Sequence, residues 1–506
     1  MTEINKEEFQ NHLAQLQKVT KPKLHEVILF ELLEGVEVVD YAKRAKEDLK
    51  NKLKDPGLNE EQKDQFKREI ESFKLNEKHF LIITIEEIIN QTKIKNLGIC
   101  KNSDFVYLFN GAYWKSIDKE EFQKFLGEAS EKMGVGKYTA KYFRFRENLF
   151  KQFIASEYLP APQRQKDRVF INLLNGTFEI TDKPNLRPFD ASDFIKYQLP
   201  FAYDPKATAP KFEAFLNRIL PEKDKQLVLS EFLGYIFVPQ SQLKLEKVLF
   251  LFGSGANGKS VIYEIIKALL GSHNTSEFTL QNLTDSNGNS RAQIADKLVN
   301  YSSEINGKLQ VDMFKKLASG EPIQAKILYK DTFIIEDYAK LIFNTNELPK
   351  DVDFMKAFFR RFLIIPFEVT IPENQQNKNL HREIIESELP GVFNWILEGL
   401  KRLLIQKQFS ESHSIDKALD QFMTESDTVK RFLEEEGYKS DPEKKVLLKE
   451  LYYRYRDFAL DEGNRLLSKQ SFRKRLEALK IQVKRESEGM QVFVSQNHFE
   501  NGNPSF

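Results

Sequence analysis

The sequence predicts an α/β fold, and three observations predict it. The apolar run Val248-Leu249-Phe250-Leu251-Phe252 leads straight into Gly253-Ser254-Gly255-Ala256-Asn257-Gly258-Lys259-Ser260. A helical, apolar-rich stretch continues from Val261 to Leu270, and Gly271 stands where a C-terminal helix cap belongs. Apolar strands then alternate with helices to about residue 370, the pattern of an α/β core. The chain has 506 residues, room for roughly three domains at about 150 residues each.

Residues 1–100 read as a helical N-terminal arm. From Tyr41 to Phe73 the chain is dense in Lys, Glu and Gln and is broken at Asp55-Pro56-Gly57, a strong turn signal. This predicts a charged helical hairpin, either a solvated arm or a docking or oligomerisation element. Residues 101–240 read as an α+β accessory region. Two hairpins are expected there, each marked by Asn-Gly between apolar runs. One spans Phe105–Phe109 and Ala112–Lys115 around Asn110-Gly111, the other Val169–Leu174 and Thr177–Ile180 around Asn175-Gly176. Between them Lys141-Tyr142-Phe143-Arg144-Phe145-Arg146 interleaves cations with rings. That texture suits stacking on bases, and it equally suits an amphipathic helix with core phenylalanines.

Residues 241–405 hold the core. The octapeptide at 253–260 fits the phosphate-loop pattern G-x-x-x-x-G-K-[ST], in the strand–loop–helix order its chemistry needs. Glycines let backbone N–H groups wrap phosphates, and the helix N-terminus adds partial positive charge. Lys259 would reach the β and γ phosphates and the Ser260 hydroxyl would hold Mg²⁺, so ATP or GTP binding is expected. Hydrolysis also needs an acid at the end of a neighbouring strand; Leu298–Ile305 supplies Glu304. A third strand, Ala339–Phe343, ends in Asn344-Thr345-Asn346, where an amide can sense the γ-phosphate. Arg360 and Arg361 precede a further strand, Leu363–Ile365; paired arginines form surface salt bridges or serve as trans-acting fingers between subunits.

Composition excludes several classes. Lys plus Arg is 76 against 75 for Asp plus Glu, a net charge of +1, which rules out a polycation or an acidic solvating chain. Cys100 is the only cysteine, so no internal disulfide framework or cysteine-cluster zinc site exists. No apolar run approaches the roughly 18–20 residues that cross a bilayer, and residues 1–8 lack a signal-peptide core, which predicts a cytoplasmic protein.

These elements, in this order, resemble superfamily 3 helicases, AAA+ motors of viruses, phages and plasmids. More narrowly, the chain resembles the phage and plasmid primase-helicase family related to the poxvirus primase-helicase. The resemblance runs from about Phe105 to the C-terminus. It includes Asn172–Gly176, Tyr197–Pro200 with Tyr203-Asp204-Pro205, and the phosphate loop. It continues with Ser303-Glu304, Leu317–Ile323, Asn344–Pro349, Arg360-Arg361-Phe362 and Ile365-Pro366-Phe367.

The resemblance implies an AAA+ P-loop ATPase core with ATP and Mg²⁺ as cofactors. By position, Glu304 resembles the Walker B glutamate that polarises the attacking water and contributes to the metal site with Ser260. Asn346 resembles the sensor asparagine, and Arg360 or Arg361 the arginine finger. Lys315, Lys316, Lys326 and Lys330 fall in the region that projects into a central channel to grip single-stranded DNA. Only Glu321 opposes them between residues 315 and 330, and such phosphate contacts are sequence-blind.

Residues 415–506 contain a stretch, from Lys444 to Ser495, that reads as a winged-helix DNA-binding module. Its first helix is expected from Val446-Leu447 to Leu460, its second over Lys469–Leu476, and a two-stranded wing around Glu488-Gly489. Lys469, Arg473, Lys474 and Arg475 are expected on the exposed side of the second helix, facing a DNA groove or a partner.

The resemblance implies a hexameric ring, 3′-to-5′ movement on single-stranded DNA, and replication of a phage, prophage, plasmid or similar element in a bacterial cytoplasm. No carboxylate cluster suited to a two-metal primase is legible; Asp351-Val352-Asp353 reads as a loop, so a separate primase is an expected partner. Two alternatives remain open: an origin-binding initiator that melts DNA without processive unwinding, and an AAA+ ATPase that remodels proteins.

Overall fold

Four helices come first among the described residues: α1 (His25–Gly35), α2 (Tyr41–Leu53), α3 (Glu60–Glu71) and α4 (Glu77–Ile94). Side chains that accept orphan N–H groups set three of the starts. Asp40 receives the Lys43 N–H, while Asn59 with Gln62 and Asn76 with His79 form reciprocal capping boxes. The computed structural model describes residues 23–54, 57–95, 97–102, 105–156, 168–181, 185–303, 309–327, 332–349, 356–461 and 466–496. The chain divides into two compact units, one ending at Tyr203 and the other beginning at Asp204.

In the first unit, β1 (Gly98–Asn102), β2 (Phe105–Phe109) and β3 (Trp114–Ile117) form an antiparallel sheet. Helices α5 (Lys119–Lys132), α6 (Lys137–Lys141) and α7 (Phe143–Ser156) follow, then a second antiparallel sheet of β4 (Val169–Leu173), β5 (Gly176–Ile180) and β6 (Asn185–Arg187). Both expected hairpins form, with different turns. The first loop has four residues: the Asn110 side-chain oxygen accepts the N–H groups of Ala112 and Tyr113 at 3.0 and 2.9 Å, an Asx turn. The second loop is Leu174-Asn175, with Gly176 already paired in β5. The N-terminal helices share one core with this α+β segment, in which Ile28, Leu32, Ile83 and Ile88 meet Val106, Leu108, Phe122 and Phe153. The turn predicted at Asp55-Pro56 lies outside the described residues.

The second unit begins with α8 (Pro210–Ile219) and α9 (Lys223–Tyr235), followed by β7 (Val248–Phe252) and α10 (Lys259–Leu270). Gly271 caps α10 with φ +86°. Next come β8 (Thr275–Ser276), short helices α11 (Leu280–Thr284) and α12 (Asn289–Gln293), β9 (Val299–Ser302) and α13 (Val311–Ser319). An antiparallel hairpin of β10 (Ile323–Lys326) and β11 (Thr332–Ile335) leads to β12 (Lys340–Thr345), α14 (Lys356–Phe359) and β13 (Phe362–Pro366). Five strands form one parallel sheet, ordered β13-β7-β12-β9-β8. Strand β7, which runs into residues 253–260, is an inner strand between β13 and β12, and its Phe250 stacks on Phe362 with ring centroids 4.7 Å apart and on Phe343 at 5.7 Å.

Helices α15 (Leu380–Ser387) and α16 (Leu389–Gln406) return to pack on α9 and α10. Then α17 (His413–Glu425) sends Phe422 against Phe359 and Phe362, at 5.2 and 5.1 Å, so this helix belongs to the sheet's core. A separate core begins at Val429 and gathers Phe432, Leu451, Tyr455, Phe472 and Val492. Its elements are α18 (Thr428–Glu435), β14 (Tyr438–Ser440), β15 (Val446–Leu447), α19 (Leu448–Asp461), α20 (Lys469–Ala478), β16 (Val483–Glu486), β17 (Gly489–Val492) and β18 (Val494–Gln496). Val446-Leu447, expected to start a helix, instead form an edge strand in the sheet β15-β17-β16, and the helix starts at Leu448. Pairing with Val492 and Gln491 supplies backbone partners that a helix start would leave unused.

The crossing of α9 and α16 is close enough to require glycine. A Cβ on Gly399 would stand 2.4 Å from the Ser230 carbonyl carbon, and one on Gly234 2.6 Å from the Leu400 Cβ. Gly399→Ala is therefore expected to cost about 1–3 kcal/mol by forcing the helices apart, read as a lowered urea midpoint with an unchanged m-value.

Candidate functional site

The site lies at the C-terminal edge of the parallel sheet, where β7 gives way to residues 253–260. Loop residues Gly255, Ala256 and Gly258 all have positive φ, at +114°, +47° and +83°. Such a run points successive N–H groups into a concavity that suits an anion. Gly258 is also sterically fixed, because an added Cβ would meet Ile219 at 2.9 Å and Phe215 at 3.0 Å. The Ala256 carbonyl accepts the Ile371 N–H at 2.8 Å, which ties the loop to the segment after β13.

Lys259 is buried, at 6 % exposure. Its ammonium donates to the Gly253 carbonyl at 2.7 Å and to Asn257 Oδ1 at 3.0 Å. Both partners are neutral, and among the described residues no carboxylate pairs with it. Burial holds its pKa below the usual lysine range. A buried cation with no anion beside it is costly, and an incoming phosphate would supply the missing charge.

The strand register brings the other groups to this point. β12 is hydrogen-bonded to β7 on one side and β9 on the other, so Asn344 pairs with Leu251 and Phe343 with Ser302. Asn344 is buried; its Oδ1 accepts the Tyr301 hydroxyl at 3.0 Å, and its Nδ2 donates to the Lys259 carbonyl at 3.4 Å. Burial raises the pKa of Tyr301, which keeps it a neutral donor. This Tyr301–Asn344–Lys259 connection between strand, strand and loop was not legible from the sequence. Asn346 and Ser303 line the same cavity, which has a volume of about 980 Å³. Glu304, the next residue, lies outside the described residues, as does Lys330.

Sequence reasoning also missed the opposite wall, built from Lys211, Phe215 and Arg218 on α8 and from Ile371, Gln375 and Leu380. Glu388 holds α8 in place: its buried carboxylate accepts the N–H groups of Lys211 and Phe212 at 3.1 and 3.0 Å, capping a helix that starts at Pro210. Arg218 donates to the Gln375 side chain at 2.5 Å, closing that wall. A contact across 157 residues leaves no local signal in the sequence.

The two arginines before β13 separate. Arg360 is exposed and bonds Glu246 at 2.6 Å. Arg361 is buried at 8 % exposure, donating to Ser319 Oγ at 2.9 Å and to the Ala357 carbonyl. Of the expected DNA contacts, Lys316 and Lys326 are exposed, and Lys315 is partly buried on α13 with Asp312 at 3.5 Å. Lys326 is the last paired residue of β10 before the hairpin tip. On α20, Lys469, Arg473 and Lys474 are exposed, with Arg473 bonded to Glu477 at 2.8 Å. Arg475, expected beside them, turns inward instead. Its guanidinium binds the buried Asp427 at 2.5 Å, because the cap of α18 places a desolvated carboxylate under it.

A strand–loop–helix cradle, a buried lysine and two strand-end asparagines thus converge on one cavity of a mixed α/β fold. Residues 86–221 match the family described as D5 N terminal like, and residues 251–361 match a family of unknown function, DUF5906. Putative helicase 121R of Invertebrate iridescent virus 3 is 23% identical over 337 residues, covering 58% of this chain and 35% of the relative. Putative helicase L207/L206 of Acanthamoeba polyphaga mimivirus is 26% identical over 259 residues, covering 47% of this chain and 26% of the relative. The matches therefore span about a third or less of these viral proteins. Among solved structures, the apo C-terminal region of NrS-1 (305–718) aligns with 82% of this chain and 98% of its own, at 13% identity and a TM-score of 0.43. Two family models thus match separate parts of the chain, and the viral proteins similar to it are named putative helicases.

The arginine pair gives a direct test of burial. Arg361→Ala, which leaves Ser319 without its partner, is expected to lower stability by about 1–3 kcal/mol. Arg360→Ala is expected to stay within about 0.5 kcal/mol, since exposed pairs contribute little; chemical denaturation of both variants reads the difference.

Proposed function

We propose that the chain is the motor of an ATP-dependent DNA helicase of superfamily 3, working as an AAA+ ring in replication of a phage, virus or plasmid. The observation that carries this reading is the convergence of Lys259, Asn344, Asn346 and Ser303 on the cavity in front of the phosphate loop. Its volume of about 980 Å³ suits a nucleotide.

Loop N–H groups and Lys259 would hold the β and γ phosphates, and the α8 wall with Phe215 and Ile371 would enclose the base. Ser260 and Glu304 would hold Mg²⁺, which neutralises phosphate charge when bound. Glu304 would orient the attacking water, and Asn346 would report on the γ-phosphate. In a ring, the exposed Arg360 would act across the subunit interface. Arg361, buried and bonded to Ser319, suits a structural role. Lys315, Lys316 and the β10–β11 hairpin with Lys326 and Lys330 would follow the DNA backbone, driven by hydrolysis.

One observation favours an initiator activity alongside unwinding. The exposed Lys469, Arg473 and Lys474 on α20, next to the β16–β17 hairpin, fit the winged-helix reading and a duplex groove. Removal of their charge would weaken duplex binding.

Lys259→Ala is expected to lower ATP hydrolysis at least a hundredfold without changing the circular dichroism spectrum. Wild-type hydrolysis should rise on addition of single-stranded DNA, and Lys315→Ala with Lys316→Ala should blunt that rise. Hydrolysis indifferent to DNA in the wild type would favour a protein-remodelling ATPase instead.

A further inference from the structure

The strongest feature that the motor reading leaves unused lies in the first unit, where α6 meets α7. Residues 132–146 contain no acidic side chain and five basic ones. Two of those five are committed to the fold: Lys132 donates to the Leu33 carbonyl at 2.9 Å and Arg146 to the Ala140 carbonyl at 3.1 Å. The other three, Lys137, Lys141 and Arg144, are exposed, and none forms a salt bridge among the described residues. Tyr138, Phe143 and Tyr142 stand among them at 90 %, 65 % and 49 % exposure.

This exposure follows from the local fold. Phe145, Leu149 and Phe153 recur every four residues on α7 and enter the core beside Phe122. That leaves Phe143 and Arg144 on the outer side. Tyr142 breaks the helix with extended backbone between α6 and α7, and its ring meets Phe143 edge-on at 5.0 Å. Arg144 lies 5.8 Å from the centre of the Phe143 ring. Met133, Val135 and Ala140 are all buried, so every large apolar group shown to solvent here is an aromatic ring.

We infer that this surface is a stacking platform for single-stranded DNA, separate from the motor's channel contacts. Rings bind the faces of unpaired bases and the cations bind the phosphates between them, without regard to sequence. A hydrophobic protein partner would be met by aliphatic groups as well, and here none is exposed. The choice of DNA as the strand rests on the helicase reading; the presence of rings and cations does not.

The test uses the full chain and a fluorescein-labelled 25-mer of thymidine, with no nucleotide added. Tyr138→Ala, Tyr142→Ala and Phe143→Ala combined should weaken binding tenfold or more in anisotropy, with the melting midpoint unchanged. Lys137→Ala, Lys141→Ala and Arg144→Ala combined should reduce the slope of log K against log salt by about 2, since each single-strand phosphate contact contributes about 0.7. In the wild type, a 5-bromodeoxyuridine strand should photo-crosslink to the peptide holding these rings, which also decides the matter should the triple variant unfold. Unchanged affinity, adducts only elsewhere, or an equal loss for a 25-base-pair duplex would overturn the platform. Wild-type ATP hydrolysis and its response to DNA, measured separately, test the motor reading and are not decided by this result.

Discussion

The site depends on one constraint, the position of β12 between β7 and β9. Each of these strands is short, and β9 and β12 end in polar residues, Ser302 and Asn344-Thr345. Because β12 is hydrogen-bonded on both sides, its register is fixed twice, by Leu251 opposite Asn344 and by Ser302 opposite Phe343. A one-residue slip would turn Asn344 away from Tyr301 and the phosphate loop. The register thus places three groups of different sequence origin, at 259, 303 and 344–346, around one cavity.

What holds that register is a phenylalanine core. Phe250, Phe343 and Phe362 sit on adjacent strands and stack, while Phe314, Phe358, Phe359 and Phe422 close over them from α13, α14 and α17. Each fully buried ring contributes about 1.5–3 kcal/mol from area alone, with a further gain from ring geometry. The abundance of phenylalanine, 42 in the chain, is in part explained here. The polar end of the same sheet carries the strain: the positive φ of Ala256 and a buried cation with neutral partners are features that a bound phosphate would relieve.

Much of this was legible in the sequence because it is local. The strand–loop–helix at 248–270, the two hairpins and the cap at Gly271 are all set by residues within a few positions of one another. The Asn-Gly pairs marked hairpins but not their turns, since Asn110 uses its side chain to build a longer loop and Gly176 is drawn into β5. Groups set by distant partners were not legible. Arg360 and Arg361 are chemically identical neighbours that both lie within ion-pair reach of Glu246, and the buried one is distinguished by its bond to Ser319. Arg475 reads as surface charge until Asp427 is placed under it. The α8 wall depends on Glu388, 176 residues beyond the N–H of Phe212.

The same distinction sorts the interleaved segment at 141–146. Its helical period assigned Phe145 to the core, while the break at Tyr142 left Tyr142, Phe143 and Arg144 exposed. The central claim, that residues far apart in sequence form one nucleotide cradle, is tested most directly by hydrogen–deuterium exchange with and without a slowly hydrolysed ATP analogue and Mg²⁺. The account predicts added protection together at 253–260, 344–346 and 371–378 and on α8, with none at 98–117. Protection absent from the loop, or confined to a region outside these segments, would contradict it.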